Sequence, residues 1–74
     1  ETRVEVVRTS APAFVGESLA DADVRSRTGC TVIAVERNGE VVTELDPGFV
    51  IEADDTLIVA GSDGAINCFN AIAQ

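Results

Sequence analysis

The segment at residues 16–39, GESLADADVRSRTGCTVIAVERNG, constrains the fold more than any other part of the chain. It predicts a helix over residues 18–28, which begins with a capping box between Ser18 and Asp21 and ends at Gly29. An apolar, β-branched run and an Asn-Gly pair follow, and this order is typical of a strand entering an antiparallel hairpin. The segment therefore indicates a helix that leads directly into two paired strands.

The remaining residues predict three further elements around this unit. Alternation of charged residues with valine predicts a first strand over residues 2–7, with the hairpin strands at 30–37 and 40–45. The run at 56–60 is nearly all apolar, which favours a central or doubly covered strand. Ser62 can cap a last helix, whose apolar residues recur at helical spacing. The order β-α-β-β-β-α predicts an α+β fold with a small, mostly antiparallel sheet.

Length sets the domain organisation. Seventy-four residues suffice for one domain, over residues 1–74, and a core of this size gives marginal stability. Self-association is one way to bury more surface. Because the chain starts at Glu1 without a methionine, we expect it to be a piece of a longer protein.

The charge balance is strongly acidic. Thirteen acidic residues face five arginines with no lysine or histidine, for a net charge of −8. This charge predicts no binding to nucleic acid or to anionic membranes, since phosphate recognition needs cations. It is consistent with a solvated surface or with adaptation to high salt, and the absence of lysine favours high salt. No apolar run reaches the length of a membrane span, so we expect no direct membrane insertion.

Few residues offer catalytic chemistry. Histidine is the usual proton-transfer group near neutral pH, and without it or a lysine an enzyme is not expected. Cys30 and Cys68 lie in apolar contexts, which favours reduced thiols in the core over the alternative of a disulfide.

One acidic cluster is a candidate metal site. Its members lie within four residues, and hard cations such as calcium take several carboxylate oxygens. They are Glu52, Asp54 and Asp55. The spacing is not that of an EF-hand, and a solvated turn is the alternative interpretation.

Several short sequence motifs occur in a characteristic order. They are Gly16-x-x-Leu19, Asp23-Val24-Arg25, TGCTVIAV at 28–35, Arg37-Asn38-Gly39 and IEADDTLIVAG at 51–61. Together they resemble the RCK C-terminal domain, also called the TrkA C-terminal domain, over nearly the whole chain. One departure is the turn at 53–55, where many relatives carry Gly-Asp.

The resemblance implies a homodimeric, cytoplasmic regulatory domain that acts on a potassium channel or transporter at the inner face of the membrane. NAD or ATP is expected only on a preceding domain. Some members bind cyclic di-AMP between two C-terminal domains, with an apolar floor for the adenines and an arginine for the phosphates. The corresponding positions here are Leu19, Val24, Arg25, Cys30, Thr31, Val32 and Pro47.

The resemblance also assigns expected roles within this set. Leu19, Val32 and Pro47 would form the apolar floor, and Arg25 would contact the phosphates. Thr31 stands where an asparagine is often found. The alternative for every position is packing in the core or across a dimer.

We therefore expect a ligand-sensing domain that gates potassium transport through rearrangement of a dimer. Two alternatives are a purely structural dimerisation module without its own ligand and a calcium-sensing domain that uses the acidic cluster.

Overall fold

The computed structural model describes residues 3–74, which form one four-stranded sheet with helices packed on it. The strands are β1 (Glu5–Ser10), β2 (Thr31–Arg37), β3 (Glu40–Val42) and β4 (Thr56–Gly61). The helices are α1 (Leu19–Ala22), α2 (Val24–Thr28) and α3 (Asp63–Ala73), with a 3-10 turn at Pro12–Phe14. The sheet order is β1-β4-β2-β3, and all three strand pairs are antiparallel. The predicted α+β class and element order are confirmed.

The core lies between the sheet and α3. The central strand β4 contributes Leu57 and Val59, which are fully buried, as expected for its apolar sequence. Phe69 of α3 packs edge-to-face on Phe14 of the 3-10 turn, with ring centroids 6.0 Å apart. Burial of these side chains is the main source of stability in a domain this small. None of the helices within residues 3–74 is long and apolar enough to cross a membrane.

Local turn and cap signals behave as the sequence predicts, except that the capping box is half formed: among residues 3–74, the Asp21 side chain accepts no hydrogen bond from the Ser18 N–H. Asn38 and Gly39 have φ of 54° and 80°, which suits the tight turn between β2 and β3. Gly29 ends α2 with φ of 85°. Ser62 Oγ accepts a hydrogen bond from the Ala65 N–H at 3.3 Å, and Ser18 Oγ accepts one from the Asp21 N–H at 3.1 Å.

The predicted continuous helix over residues 18–28 is wrong. The chain breaks at Asp23, which adopts a left-handed conformation with φ and ψ both 48° and separates α1 from α2. Aspartate tolerates this conformation better than most residues do, so helical spacing alone did not reveal the break.

Several strand ends also differ from prediction: β1 begins at Glu5, β2 begins at Thr31 and β4 ends at Gly61, and larger shifts occur at the ends of β1 and β3. The first strand runs to Ser10 rather than Val7, because Arg8, Thr9 and Ser10 continue the register with β4. Thr2, which the prediction placed in this strand, lies outside the described residues. β3 ends at Val42 rather than at residue 45.

The two cysteines lie in different environments. Cys30 is fully buried, as predicted, but Cys68 is exposed on α3, so its predicted core position is wrong. Phe69, the apolar residue that follows Cys68, lies about 100° further around the helix and enters the core, so an apolar neighbour in sequence does not bury Cys68.

Candidate ligand-binding groove

Two adjoining surface depressions form a groove between α1, α2, the start of β2 and the loop after β3. The first has a volume of about 190 Å³ and is lined by Leu19, Asp23, Val24, Arg25, Cys30, Thr31 and Val32. The second has a volume of about 530 Å³ and is lined by Leu19, Ala20, Arg25, Val32, Leu45, Asp46 and Pro47. Because Leu19, Arg25 and Val32 border both, we treat the two as one surface and call it the Arg25 groove.

The structure brings all seven sequence-predicted ligand residues together in this groove. Val24 and Cys30 contribute from the buried side, whereas Arg25, Thr31 and Pro47 are exposed. A residue set spread from position 19 to position 47 thus converges on one surface. Whether it binds a ligand stays a prediction at this point.

Four further residues line the groove that sequence reasoning missed. They are Ala20, Asp23, Leu45 and Asp46. Asp23 directly precedes the Val24-Arg25 pair, and its place in the groove depends on the helix break, which the sequence did not reveal. Leu45 was assigned to a strand that ends earlier.

Irregular backbone shapes two sides of the groove. On one side, the left-handed Asp23 joins α1 to α2, so Leu19 and Arg25 border it from different helices. On the other side, β2 has a register irregularity between Val32 and Ala34, directly after the groove residues of that strand. Such irregularities commonly re-aim side chains near binding sites.

The loop that carries Pro47 is held to the start of α1 by backbone hydrogen bonds. The Ala20 N–H donates to Pro47 O at 3.0 Å, and the Leu19 N–H donates to Phe49 O at 2.9 Å. Further along, Gly16 and Ile51 are joined by a bond of 2.8 Å from the Gly16 N–H to Ile51 O. Residues 47–51 and 16–20 therefore form a short antiparallel ribbon, which we call the groove ribbon.

The charges of the groove are mixed. Arg25 is its cation, and Asp23 and Asp46 are its acids. The ion pairs formed within residues 3–74 involve Arg8 and Arg37, not Arg25. Arginine offers a planar fork of donors that suits phosphate or carboxylate. The Arg25 guanidinium is therefore available to an anionic ligand.

A second arginine, Arg37, has its Nε and Nη2 donors occupied by the protein itself. Its Nε and Nη2 donate to Asp55 Oδ1 and Oδ2 at 2.7 Å and 2.6 Å, and Nη2 also donates to Val50 O at 3.0 Å. Its guanidinium carbon lies 4.8 Å from the centroid of the Phe49 ring. Glu52 adds a looser contact, Oε2 to Nη1, at 3.4 Å. We call this cluster the Arg37 anchor.

Asp55 is the buried partner of the Arg37 anchor. Its side chain is 0% exposed, and its Oδ2 also accepts the Glu52 N–H at 2.8 Å. The hydrogen bonds from Arg37 hold the pKa of Asp55 below its usual value, although burial acts in the opposite direction. The same bonds raise the pKa of Arg37. Both groups remain charged near neutral pH.

The carboxylates of the acidic cluster, predicted as calcium ligands, are not arranged around a position that a cation could occupy. Both Asp55 oxygens bond Arg37, and Glu52 also faces that arginine. Within residues 3–74, no three carboxylate, cysteine or histidine side chains are grouped as metal ligands would be. The calcium prediction for Glu52, Asp54 and Asp55 therefore gains no support from this geometry.

Sequence comparison connects the chain to potassium uptake proteins. The pattern of the TrkA-C domain matches residues 3–73. Ktr system potassium uptake protein C of Bacillus subtilis (strain 168) is 38% identical over 66 residues, which cover 89% of this chain and 29% of that protein. Protein A of the same system is 30% identical over 53 residues, covering 72% of this chain and 24% of that protein. The chain thus spans less than a third of either relative.

Solved structures share the fold. The RCK C domain of the potassium transport protein KtrA, in complex with cyclic di-AMP, superposes with a TM-score of 0.78 at 28% identity and covers 96% of this chain and 82% of that one. The GsuK channel gives a TM-score of 0.81 at 24% identity, covering 90% of this chain and 13% of that one.

The fold also occurs in a protein solved with DNA. BusR of S. agalactiae, in complex with its busAB-promotor DNA, gives a TM-score of 0.77 at 21% identity, covering 93% of this chain and 34% of BusR. This likeness concerns the fold alone. Our prediction that this chain does not bind nucleic acid rests on its charge of −8.

Proposed function

The chain belongs to the TrkA-C domain family, and we propose that it is a dimerising regulatory domain of a potassium transport system whose Arg25 groove binds cyclic di-AMP. The observation that carries the proposal is the convergence of the seven predicted residues around an arginine with no ion pair among residues 3–74. The 28%-identical KtrA domain solved with cyclic di-AMP supports the choice of ligand.

The groove has the two chemistries that a cyclic dinucleotide requires. Leu19, Val32 and Pro47 offer apolar surface to the adenine rings. Arg25 offers a bidentate donor to a phosphate, and such charge-assisted bonds are about twice as strong as neutral ones. Because its neighbours Asp23 and Asp46 are acids, Arg25 has to carry the phosphate recognition among the described side chains of the groove.

A dimer completes the proposed site. One groove supplies one arginine, whereas cyclic di-AMP has two symmetry-related phosphates. Two copies related by a two-fold axis present the same surface patch to each other and bring two Arg25 side chains to one ligand. Each half of the ligand then contacts the same set of groove residues, one set from each chain.

Regulation follows from differential binding. A ligand shared by two chains stabilises the dimer arrangement that it fits and shifts the population toward that arrangement. The arrangement in turn biases an attached or bound transport subunit. Coupling of this kind is reciprocal, so the state of the transporter also changes the affinity for ligand.

The proposal is tested by calorimetric titration with cyclic di-AMP, with cyclic di-GMP as a control that keeps the phosphates and changes the bases. Saturable heat for cyclic di-AMP, at least tenfold tighter than for cyclic di-GMP, supports the proposal. Absence of heat at millimolar cyclic di-AMP, with a stable dimer by light scattering, overturns it in favour of a structural dimerisation module.

A further inference from the structure

The Arg37 anchor and the Arg25 groove are joined by one stretch of backbone. Phe49, Val50 and Ile51 belong to the groove ribbon, and successive carbonyl groups along such an extended segment point to opposite edges. Phe49 O and Ile51 O accept hydrogen bonds from Leu19 and Gly16. Val50 O accepts one from Arg37 Nη2 at 3.0 Å. Arg37 thus holds the edge of the ribbon that lies opposite α1.

Arg37 is fixed before any ligand arrives. Its fork is matched to both oxygens of a carboxylate whose side chain is fully buried, and its flat face lies on the Phe49 ring. A lysine at this position would keep the positive charge. A single ammonium group, however, cannot donate two parallel hydrogen bonds to Asp55 and a third to Val50 O in the same plane. Arg37 is therefore held by several partners of the chain itself, whereas the Arg25 side chain is exposed.

The ribbon carries groove residues on both of its segments. Leu19 and Ala20 lie on one, and Pro47 lies on the other, next to Asp46. Loss of the anchor removes the bond to Val50 O and the stacking on Phe49, so residues 46–50 gain freedom. A ligand then has to order that loop on binding, and ordering lowers affinity without the loss of any direct contact.

We infer that Arg37 is a positioning residue of the Arg25 groove, which sets ligand affinity by holding the groove ribbon while making no contact with the ligand itself. The inference rests on the proposed function, because it concerns the affinity of the same groove for cyclic di-AMP. It assigns the two arginines different tasks: Arg25 binds, and Arg37 positions the loop that borders the bound ligand.

The test measures cyclic di-AMP affinity by calorimetry for the unsubstituted chain, Arg37→Lys and the matched control Arg8→Lys. Arg8 pairs with Glu36 away from the groove, so its variant makes the same chemical change without touching the ribbon. Titrations are run well below the unfolding temperature of each variant, so that every chain is folded. We expect Arg37→Lys to bind at least tenfold more weakly and Arg8→Lys to bind within twofold of the unsubstituted chain.

A spectroscopic readout separates positioning from general stability. In Arg37→Lys, the amide resonances of Leu19 and Ala20, which bond the ribbon, should shift and exchange faster with solvent, while those of α3 stay unchanged. If Arg37→Lys does not fold, Asp55→Asn, which weakens the same fork, replaces it in both measurements.

The outcomes distinguish the two proposals. Binding by the folded variant within twofold of the unsubstituted chain overturns the positioning role and leaves the proposed function intact. No binding by the unsubstituted chain overturns the proposed function, and the positioning role with it.

Discussion

Two arginines of this chain, Arg25 in the groove and Arg37 beside the groove ribbon, have opposite environments. Arg37 meets a buried carboxylate, a carbonyl and an aromatic ring. Arg25 lies exposed in a groove and has no ion pair among residues 3–74. The same side chain therefore serves structure in one place and, in our proposal, recognition in the other. The difference lies in whether the protein itself satisfies the guanidinium.

The largest expected effect is on the stability of the Arg37 anchor. Asp55→Ala should lower the free energy of unfolding by about 3 kcal/mol, because it leaves the arginine without its buried partner. For a domain of this size, such a loss lowers Tm by more than about 10 °C. Thermal unfolding checks this, with Asp54→Ala as a control that removes the same charge from an exposed neighbour. Equal losses in the two variants would contradict the anchor.

The next effect concerns binding at Arg25. Arg25→Ala should weaken cyclic di-AMP binding by about 100-fold, because each dimer loses two charge-assisted contacts. Each contact is worth about 1.5–3 kcal/mol on its own, and the two losses are not expected to add in full. Its Tm should stay close to that of the unsubstituted chain. Arg27→Ala is the control, because Arg27 lies on the same helix but donates to Ala22 O and stacks on Phe14. If the two variants bind equally, Arg25 is not the phosphate contact.

Acid should weaken the anchor through Asp55. Arg37 lowers the pKa of Asp55 in the folded chain below the ordinary value of 3.8, so the folded state binds fewer protons than the unfolded state in this range. The resulting stability is fully present above pH 3.8 and is lost as the pH falls through the folded-state pKa. The free energy of unfolding, measured with urea at pH 6 and at pH 3, should fall less between the two pH values in Asp55→Asn than in the unsubstituted chain. The same loss in both chains would exclude this role.

Salt should change cyclic di-AMP affinity only slightly, and should raise it, whereas salt usually weakens the binding of an anionic ligand. The chain carries a net charge of −8, and two acids share the groove with Arg25. Salt at 1 M screens this long-range repulsion, whereas a direct arginine–phosphate contact is screened much less. Cyclic di-AMP affinity should therefore rise about threefold between 0.1 M and 1 M potassium chloride. A tenfold fall would show that simple charge attraction dominates.

The sequence predicted what local chemistry decides. Gly29, the Asn38-Gly39 turn and the Ser62 cap each depend on a few adjacent residues, and all three are confirmed. The predicted order of strands and helices along the chain and the antiparallel sheet are also confirmed. The family resemblance predicted the groove residues, which the residue pattern alone could not have grouped.

The features that the sequence did not reveal depend on contacts between distant residues. The bond between Arg37 and Asp55 joins positions 18 residues apart, and nothing in the acidic cluster indicates that one member is buried against an arginine. The helix break at Asp23 has a local cause instead, because aspartate is compatible with both a helix and a left-handed turn. Ala20 and Asp46 border the groove where backbone bonds hold the loop of Pro47 against the start of α1, a pairing that no local sequence signal indicates.

In our proposal, two copies of the Arg25 groove share one cyclic dinucleotide. The most direct measurement is the binding stoichiometry from calorimetric titration with cyclic di-AMP, combined with the molar mass of the complex from light scattering. We predict one ligand for every two chains and the mass of a dimer at saturation. One ligand bound to each monomeric chain, or no binding at millimolar ligand, would contradict the claim.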